Sequence, residues 1–226
     1  HITLTRDSFM AEQPIEPLLY RTLTDSPSLY DADGQLFTDK AQLSQKAAYH
    51  EVVNEVKAQW QKVSQQVVVN HIDFHMHSLV PGMGFRGYKA FFEAYKAIPD
   101  RHIRRVRMAS SYYNSPPLNY IWGGHKMGIY AFMKMKQLRL TAPNYCFAFP
   151  YSALSENTLD EKRTILSDFF REMREGVTEM YIHPCIETES LRKYNPSWKN
   201  RTDDYQLMLG INKVELWEKY GIKLMA

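Results

Sequence analysis

The sequence predicts an α/β fold with a parallel sheet, either open or closed into a barrel. Strand-like and helix-like segments alternate at least four times, and no hairpin signal stands between successive strands. The 226 residues, 44% of them hydrophobic and 23% charged, suffice for one globular domain spanning 1–226. In parallel α/β folds the chemistry lies at the carboxyl ends of the strands, so functional residues are expected there.

The first part of the chain predicts a strand, a long loop, a helix and a second strand. Residues 2–5 alternate apolar and β-branched side chains, which is typical of a short strand. Residues 6–39 contain several prolines and no sustained period, so we expect a long loop of the kind that often serves function. Residues 40–66 predict a helix, and residues 67–74 predict a buried β-branched strand. The apolar face expected on this helix consists of Val53, Val56, Trp60 and Val63.

The rest of the chain repeats the alternation of helices and short strands. A helix after Pro81 is expected to bury an aromatic face made of Tyr88, Phe91, Phe92 and Tyr95. Strands are predicted at 103–106, 145–149 and 180–182. Further helices are predicted at 124–138, 159–175 and 202–219. The clearest apolar stripe, on the 159–175 helix, consists of Ile165, Leu166, Phe169, Phe170 and Met173.

Composition and charge exclude several classes of protein. The 28 Lys and Arg residues against 25 Asp and Glu give a net charge of +3, too small and too scattered for a nucleic-acid surface. No apolar run approaches the roughly 20 residues of a membrane-spanning helix. Cys146 and Cys185 have neither the number nor the spacing of a disulfide framework or a cysteine zinc site. We therefore expect an intracellular, cytoplasmic protein.

Four polar side chains crowd the end of the strand predicted at 67–74. In an extended chain alternate residues face the same side, which places His71, Asp73, His75 and His77 together. Three imidazoles and a carboxylate on one face predict a divalent-metal site, in which an Asp often orients a ligand ring. The alternative is a polar, solvent-exposed strand end that binds nothing.

A further histidine, His183, ends the strand predicted at 180–182 in the same topological position. Imidazole titrates near neutral pH, so the role expected of His183 is that of a general acid. A purely structural histidine is the alternative. If the chain matured at His1, that residue's amine and imidazole could chelate copper, but such a site suits an all-β architecture.

Five segments resemble, in the same order, the YdjC-type carbohydrate deacetylase family. Residues 1–5 (H-I-T-L-T) resemble its strand G-(L/I/M)-H-L-T-L-T, and residues 27–37 resemble its loop P-S-L-V-D-x-D-G-x-F. Residues 71–77 (H-I-D-F-H-M-H) are similar to T-H-(I/L)-D-S-H-x-H, and residues 179–184 (E-M-Y-I-H-P) to E-(L/V)-M-x-H-P. Residues 201–224 resemble the closing pattern R-x-x-E-(L/Y)-x-x-L followed by G-I-x-L.

The resemblance implies a (β/α) barrel-like domain that removes acetyl groups from N-acetylated sugars. The family's site holds one divalent metal ion on an Asp and two His, and here Mg²⁺ or Zn²⁺ is the expected ion. Carried over by motif, the metal ligands are His1 and His75, and the catalytic residues are His183 and Asp73. His77 and Arg107 are assigned to substrate binding. The expected partner is a carbohydrate, and the oligomeric state is left open, with a homodimer as one possibility.

The sequence also departs from the family pattern. The opening strand N-A-D-D-F-G, which supplies the metal Asp and the expected base, has no counterpart here, so the barrel is expected to be incomplete at its N-terminus, and whether the chain is active as it stands is left open. Leu79 stands where many members carry another His, and Cys185 where Gly or Ala is common.

Two other functions fit some of these residues. The run D-F-H-M-H-S at 73–78 also resembles the D-x-H-x-H-S motif of PHP-type phosphoesterases, related to amidohydrolase-like metal enzymes. In that family the motif lies on the first strand, whereas a long loop and a helix precede it here. A carbohydrate-binding domain without catalysis is the second alternative, favoured by the missing carboxylate pair.

Overall fold

The structure, a computed structural model, describes residues 1–6, 21–80, 82–98, 104–108, 111–112, 125–149 and 158–225. Its chain divides into two compact units. The first comprises residues 1–111 and 116–143, and the second comprises residues 112–115 and 144–226. Each unit has its own hydrophobic cluster, so each is described by itself.

The first unit contains four helices and two short strands among its described residues. The helices are α1 (Lys40–Lys46), α2 (Tyr49–Ser64), α3 (Gly84–Lys96) and α4 (His125–Leu138). The strands are β1 (His71–Ile72) and β2 (Arg105–Val106). Single 3₁₀ turns lie at Pro27–Leu29 and His75–His77.

Four segments of the first unit lie side by side and run parallel. β1 pairs with β2, with Ile72 opposite Val106. Single parallel bridges extend this pair on both sides, from Ile2 to Phe74 and from Arg105 to Thr141. The order Ile2, β1, β2, Thr141 confirms the parallel pairing that the alternating pattern predicts.

The helix predicted at 40–66 is two helices in the structure. Asp39 caps α1 by accepting a hydrogen bond from the amide of Ala41, and the backbone is extended at Ala47 and Ala48 before α2 begins. On α2 the predicted apolar face is buried except at its last position, because Val63 is 49% exposed in the final turn.

The strand predicted at 67–74 is also wrong in its first half. Val67 and Val68 are exposed, Val68 by 90%, and pairing begins only at His71. Strand propensity records how well a side chain fits a half-buried pleated surface, and no such surface covers these two valines. The β-branched run therefore follows the end of α2 and leads into β1 as irregular chain.

Aromatic packing of α3 forms the centre of the first core. The four residues of the predicted aromatic face are all about 1% exposed, which confirms that face. The Phe91 ring lies edge-on to the Phe74 ring, with centroids 5.2 Å apart, and also contacts Phe92 and Tyr95. This packing joins α3 directly to the residue that follows β1.

The second unit contains the four remaining helices and, apart from residue 111, the strands of a three-stranded sheet. The strands are β3 (Ser111–Tyr112), β4 (Tyr145–Ala148) and β5 (Thr178–Tyr181), and β4 pairs with β5 in parallel. The helices are α5 (Leu159–Glu172), α6 (Glu189–Tyr194), α7 (Trp198–Leu209) and α8 (Lys213–Tyr220).

Local capping explains where the helices of the second unit begin and end. Thr158 and Glu161 form a reciprocal capping box at the start of α5, which ends at Glu172, three residues before the predicted end. The helix predicted at 202–219 is interrupted after Leu209, because Asn212 caps the new helix α8.

The described residues give a mixed α/β fold with short parallel strands, which confirms the predicted class. They form two separate small sheets, so the predicted barrel is not confirmed: no closed barrel exists in the part of the chain that the structure describes. No helix among the described residues is long and apolar enough to span a bilayer.

Replacing Phe91 by Ala tests the aromatic centre of the first core. Removal of a fully buried Phe leaves a cavity, so we expect the free energy of unfolding to fall by about 3–5 kcal/mol. Phe132→Ala is the matched control, since this Phe on α4 is 59% exposed and should change stability by no more than about 0.5 kcal/mol. Urea denaturation of both variants measures the difference, and equal losses would contradict the assigned core.

Candidate functional site

Backbone pairing brings residues from two distant stretches of the first unit together. The amide of Ile2 donates to the carbonyl of Asp73 at 2.9 Å, and the amide of His75 donates to the carbonyl of Ile2 at 2.8 Å. This pairing places His1 beside Asp73 and His75, although more than seventy residues separate them in sequence.

The side chains of these three residues form one hydrogen-bonded row. His1 Nδ1 lies 2.5 Å from Asp73 Oδ1, and His1 Nε2 lies 3.1 Å from His75 Nδ1. The two rings meet edge-on, with an interplanar angle of 80°. Because the Asp73 carboxylate only accepts, His1 Nδ1 donates the hydrogen bond, and in the neutral ring the lone pair of Nε2 then faces His75.

Arg107 completes the row on its other side. Its backbone amide donates to the carbonyl of Ile72 at 2.9 Å, which fixes it at the end of β2. Its guanidinium then binds Asp73 Oδ2 at 2.9 Å, and both side chains are about 15% exposed. Asp73 therefore engages one oxygen with His1 and the other with Arg107. Sequence reasoning assigned Arg107 to substrate binding and missed this ion pair.

His77 lies in a tight turn that follows the strand. Met76 and His77 both have left-handed backbones, with φ of 49° and 54°. Burial, together with the positive charges of Arg107 and Lys40, lowers the pKa of His77 to about 4. The ring is therefore neutral at neutral pH. Lys40, at the start of α1, is a neighbour that no local sequence signal indicated.

The expectation that four residues share one extended face is wrong. The strand ends before His75, where the 3₁₀ turn His75–His77 begins, so alternation no longer decides direction. His71 is exposed and its Nδ1 lies 2.8 Å from Asn70 Oδ1. The row instead consists of His1, Asp73, His75 and Arg107.

The row offers a partial set of metal ligands. His1 Nε2 and His75 Nδ1 face each other, and a carboxylate orients the first ring, as is common for metal-binding histidines. Both oxygens of Asp73 are engaged, by His1 and by Arg107, so Asp73 orients a ligand ring and is not itself counted as a ligand. Within the described ranges no group of three or more His, Cys, Asp or Glu is arranged to hold a metal ion. Two nitrogen donors fit a divalent cation, and metal binding stays a prediction.

His183 belongs to the second unit. It follows β5, is exposed, and its ring lies edge-on to the Tyr181 ring with centroids 6.3 Å apart. The position at the carboxyl end of a strand agrees with the sequence prediction. Its role as a general acid stays a prediction.

Comparisons with known proteins agree with the motifs. A family model described as YdjC-like protein matches residues 1–217, which confirms the resemblance drawn from the sequence. Among curated proteins, none matches this sequence at a significant level. A crystal structure from Enterococcus faecalis V583, described as a proposed cellobiose-phosphate cleavage protein, has a similar fold with a TM-score of 0.66. The two chains are 16% identical, and the match covers 100% of this chain and 74% of that chain.

The lowered pKa of His77 predicts a dependence of stability on pH. Its folded-state pKa of about 4 lies below the ordinary 6.5, so as the pH falls the unfolded chain binds the proton first. The contribution to stability is complete above pH 6.5 and is lost toward pH 4, by about 3 kcal/mol in total. His77→Asn keeps a residue that tolerates the left-handed backbone but does not titrate. Urea denaturation across this window should show a smaller decline for the variant, and parallel curves would contradict the assignment.

Proposed function

This chain belongs to the YdjC-like protein family, and from that membership we propose that it is a hydrolase that removes acetyl groups from N-acetylated sugars. The observation that carries the proposal is the convergence of His1, Asp73 and His75, the residues that the family motifs assign to the site. The description of the Enterococcus protein supports a carbohydrate as the substrate class.

In this proposal His1 Nε2 and His75 Nδ1 would hold one divalent cation in place of the hydrogen bond that joins them, and the proton of that bond would be released to water. Bound there, such an ion would acidify a water molecule and polarise the acetamide carbonyl. Asp73 fixes the ring of His1 and selects the tautomer that leaves Nε2 free of a proton. Arg107 holds the second oxygen of Asp73, so the carboxylate cannot rotate away from His1.

Two further histidines are assigned to the substrate. His77 is neutral at neutral pH, because burial and nearby cations lower its pKa, and a neutral ring can both donate and accept hydrogen bonds with sugar hydroxyls. His183 is proposed to donate its ring proton to the amine nitrogen that leaves when the amide bond breaks. We further propose a cytoplasmic enzyme, because the two cysteines have neither the number nor the spacing of a disulfide framework, which favours an intracellular setting.

The first test compares two histidines of the same segment. His75→Ala removes one of the facing nitrogens, so we expect loss of acetate release from N-acetylchitooligosaccharides and at least tenfold weaker zinc binding. His71→Ala is the matched control, because His71 is exposed and contacts Asn70. Acetate is measured enzymatically, and zinc binding is measured by calorimetry on the same preparations.

Several outcomes would contradict the proposal. Acetate release that survives in His75→Ala, or zinc binding that weakens equally in both variants, would remove its basis. Hydrolysis of p-nitrophenyl phosphate with Mn²⁺, in the absence of acetate release, would favour a phosphoesterase instead. Binding of the oligosaccharide without turnover would favour a carbohydrate-binding domain.

The role of His183 is tested separately. His183→Ala should lower kcat for deacetylation about a hundredfold or more, which is typical for loss of a general acid. Zinc affinity should stay unchanged, because the proposed ligands are His1 and His75. A substrate with a better leaving amine should recover part of the lost rate. A variant with unchanged kcat would contradict this role.

A further inference from the structure

The helix α2 carries three polar side chains, spaced four residues apart, that bind other segments of the first unit. Glu51 accepts hydrogen bonds from the amide and hydroxyl of Ser28. Glu55 accepts from the amides of Leu23 and Thr24. Gln59, two turns after Glu51, contacts the strand that begins with His1.

The contact of Gln59 is with the backbone of Thr3 and is bidentate. Gln59 Oε1 accepts from the Thr3 amide at 2.9 Å, and Gln59 Nε2 donates to the Thr3 carbonyl at 2.7 Å. In an extended chain successive residues direct their backbone groups to opposite edges. Ile2 pairs with the Asp73 side, so the contact with Gln59 lies on the opposite edge and holds the strand from there.

The orientation of the Gln59 amide is itself fixed. Its Nε2 also donates to Glu55 Oε1 at 2.8 Å, and Glu55 is 1% exposed. A carboxylate only accepts, so the nitrogen of the amide must face Glu55 and its oxygen must face the Thr3 amide. Only this orientation of the Gln59 amide satisfies the Thr3 amide, the Thr3 carbonyl and the Glu55 carboxylate at the same time.

We propose that Gln59 is a positioning residue that sets the place of the His1 ring relative to Asp73 and His75. The Ile2 bridge fixes the strand on one edge, and Gln59 fixes the next residue on the other edge. These two anchors lie on opposite edges within two residues of His1 and therefore restrain the strand against sliding and tilting. The expected effect on cation binding rests on the proposed function, whereas the placement of the His1 ring by Gln59 is independent of it.

Gln59→Met tests the inference, because Met keeps the length of the side chain and removes both hydrogen bonds. Gln61→Met is the matched control on the same helix, since Gln61 is exposed. We expect zinc affinity to fall about tenfold in Gln59→Met, as for other residues that orient a ligand, and to stay unchanged in the control. Gln59→Glu adds a second variant, which keeps an acceptor for the Thr3 amide but cannot donate to the Thr3 carbonyl.

A second readout requires neither metal nor activity. The nitrogen chemical shifts of the His1 ring report its tautomer, which the contact with Asp73 fixes as Nδ1–H in the wild type. Gln59→Met should show a mixture of tautomers, while Gln61→Met should match the wild type. Zinc affinity and ring shifts equal to wild type in Gln59→Met would overturn the inference, even if its melting temperature fell. A wild type that binds neither Zn²⁺ nor Mg²⁺ would overturn the proposed function, and the ring shifts would still decide the role of Gln59.

Discussion

The site depends on the single parallel bridge between Ile2 and Phe74. Its two hydrogen bonds set the register that puts His1 next to Asp73, and a shift of one residue would turn every side chain of the strand to the other face. Ile2 and Phe74 are both buried, and Phe74 packs against Phe91 of α3. The apolar core therefore determines the register, and the register determines which polar groups meet. This order of causes explains why an exposed row of histidines can be placed by residues that carry no chemistry.

The helices were predictable where pattern and capping agree. The aromatic stripe of α3 and the capping box of α5 are local signals, and both helices occur close to where the sequence places them. The break at Ala47 carries no such signal, because Ala favours helix and only the packing of α1 and α2 decides where each ends. The second break did carry one: Gly210 and Asn212 are typical of a helix end and a new cap, and the apolar period across them outweighed that signal.

The residues of the site were predictable in identity but not in arrangement. The spacing at 71–77 indicates a polar cluster of four residues, of which Asp73 and His75 lie in the row, and the roles of His75 and His1 follow from the family resemblance. The ion pair between Asp73 and Arg107 joins β1 to β2 across more than thirty residues, and only the register of the two strands decides it. Alternation failed beyond Phe74 because the chain leaves the strand there, and a period of two applies only while the backbone stays extended.

The turn at Met76 and His77, where the chain leaves the strand, has a conformational cost and separates the surroundings of two histidines. A left-handed backbone costs a non-glycine residue roughly 1–2 kcal/mol, and both Met76 and His77 adopt it. The turn persists because the amide of Gly82 donates to the carbonyl of His77 at 2.8 Å, and an added Cβ at Gly82 would lie 2.5 Å from the carbonyl oxygen of Ser78. Because Gly82 has no side chain, the backbone at Gly82 can approach the carbonyl groups of His77 and Ser78 closely. The turn places His77 near the charges of Arg107 and Lys40 while His75 stays beside His1, so two histidines of one motif have different neighbours. A continued strand would have placed both rings on the same face of the sheet, beside the same neighbours.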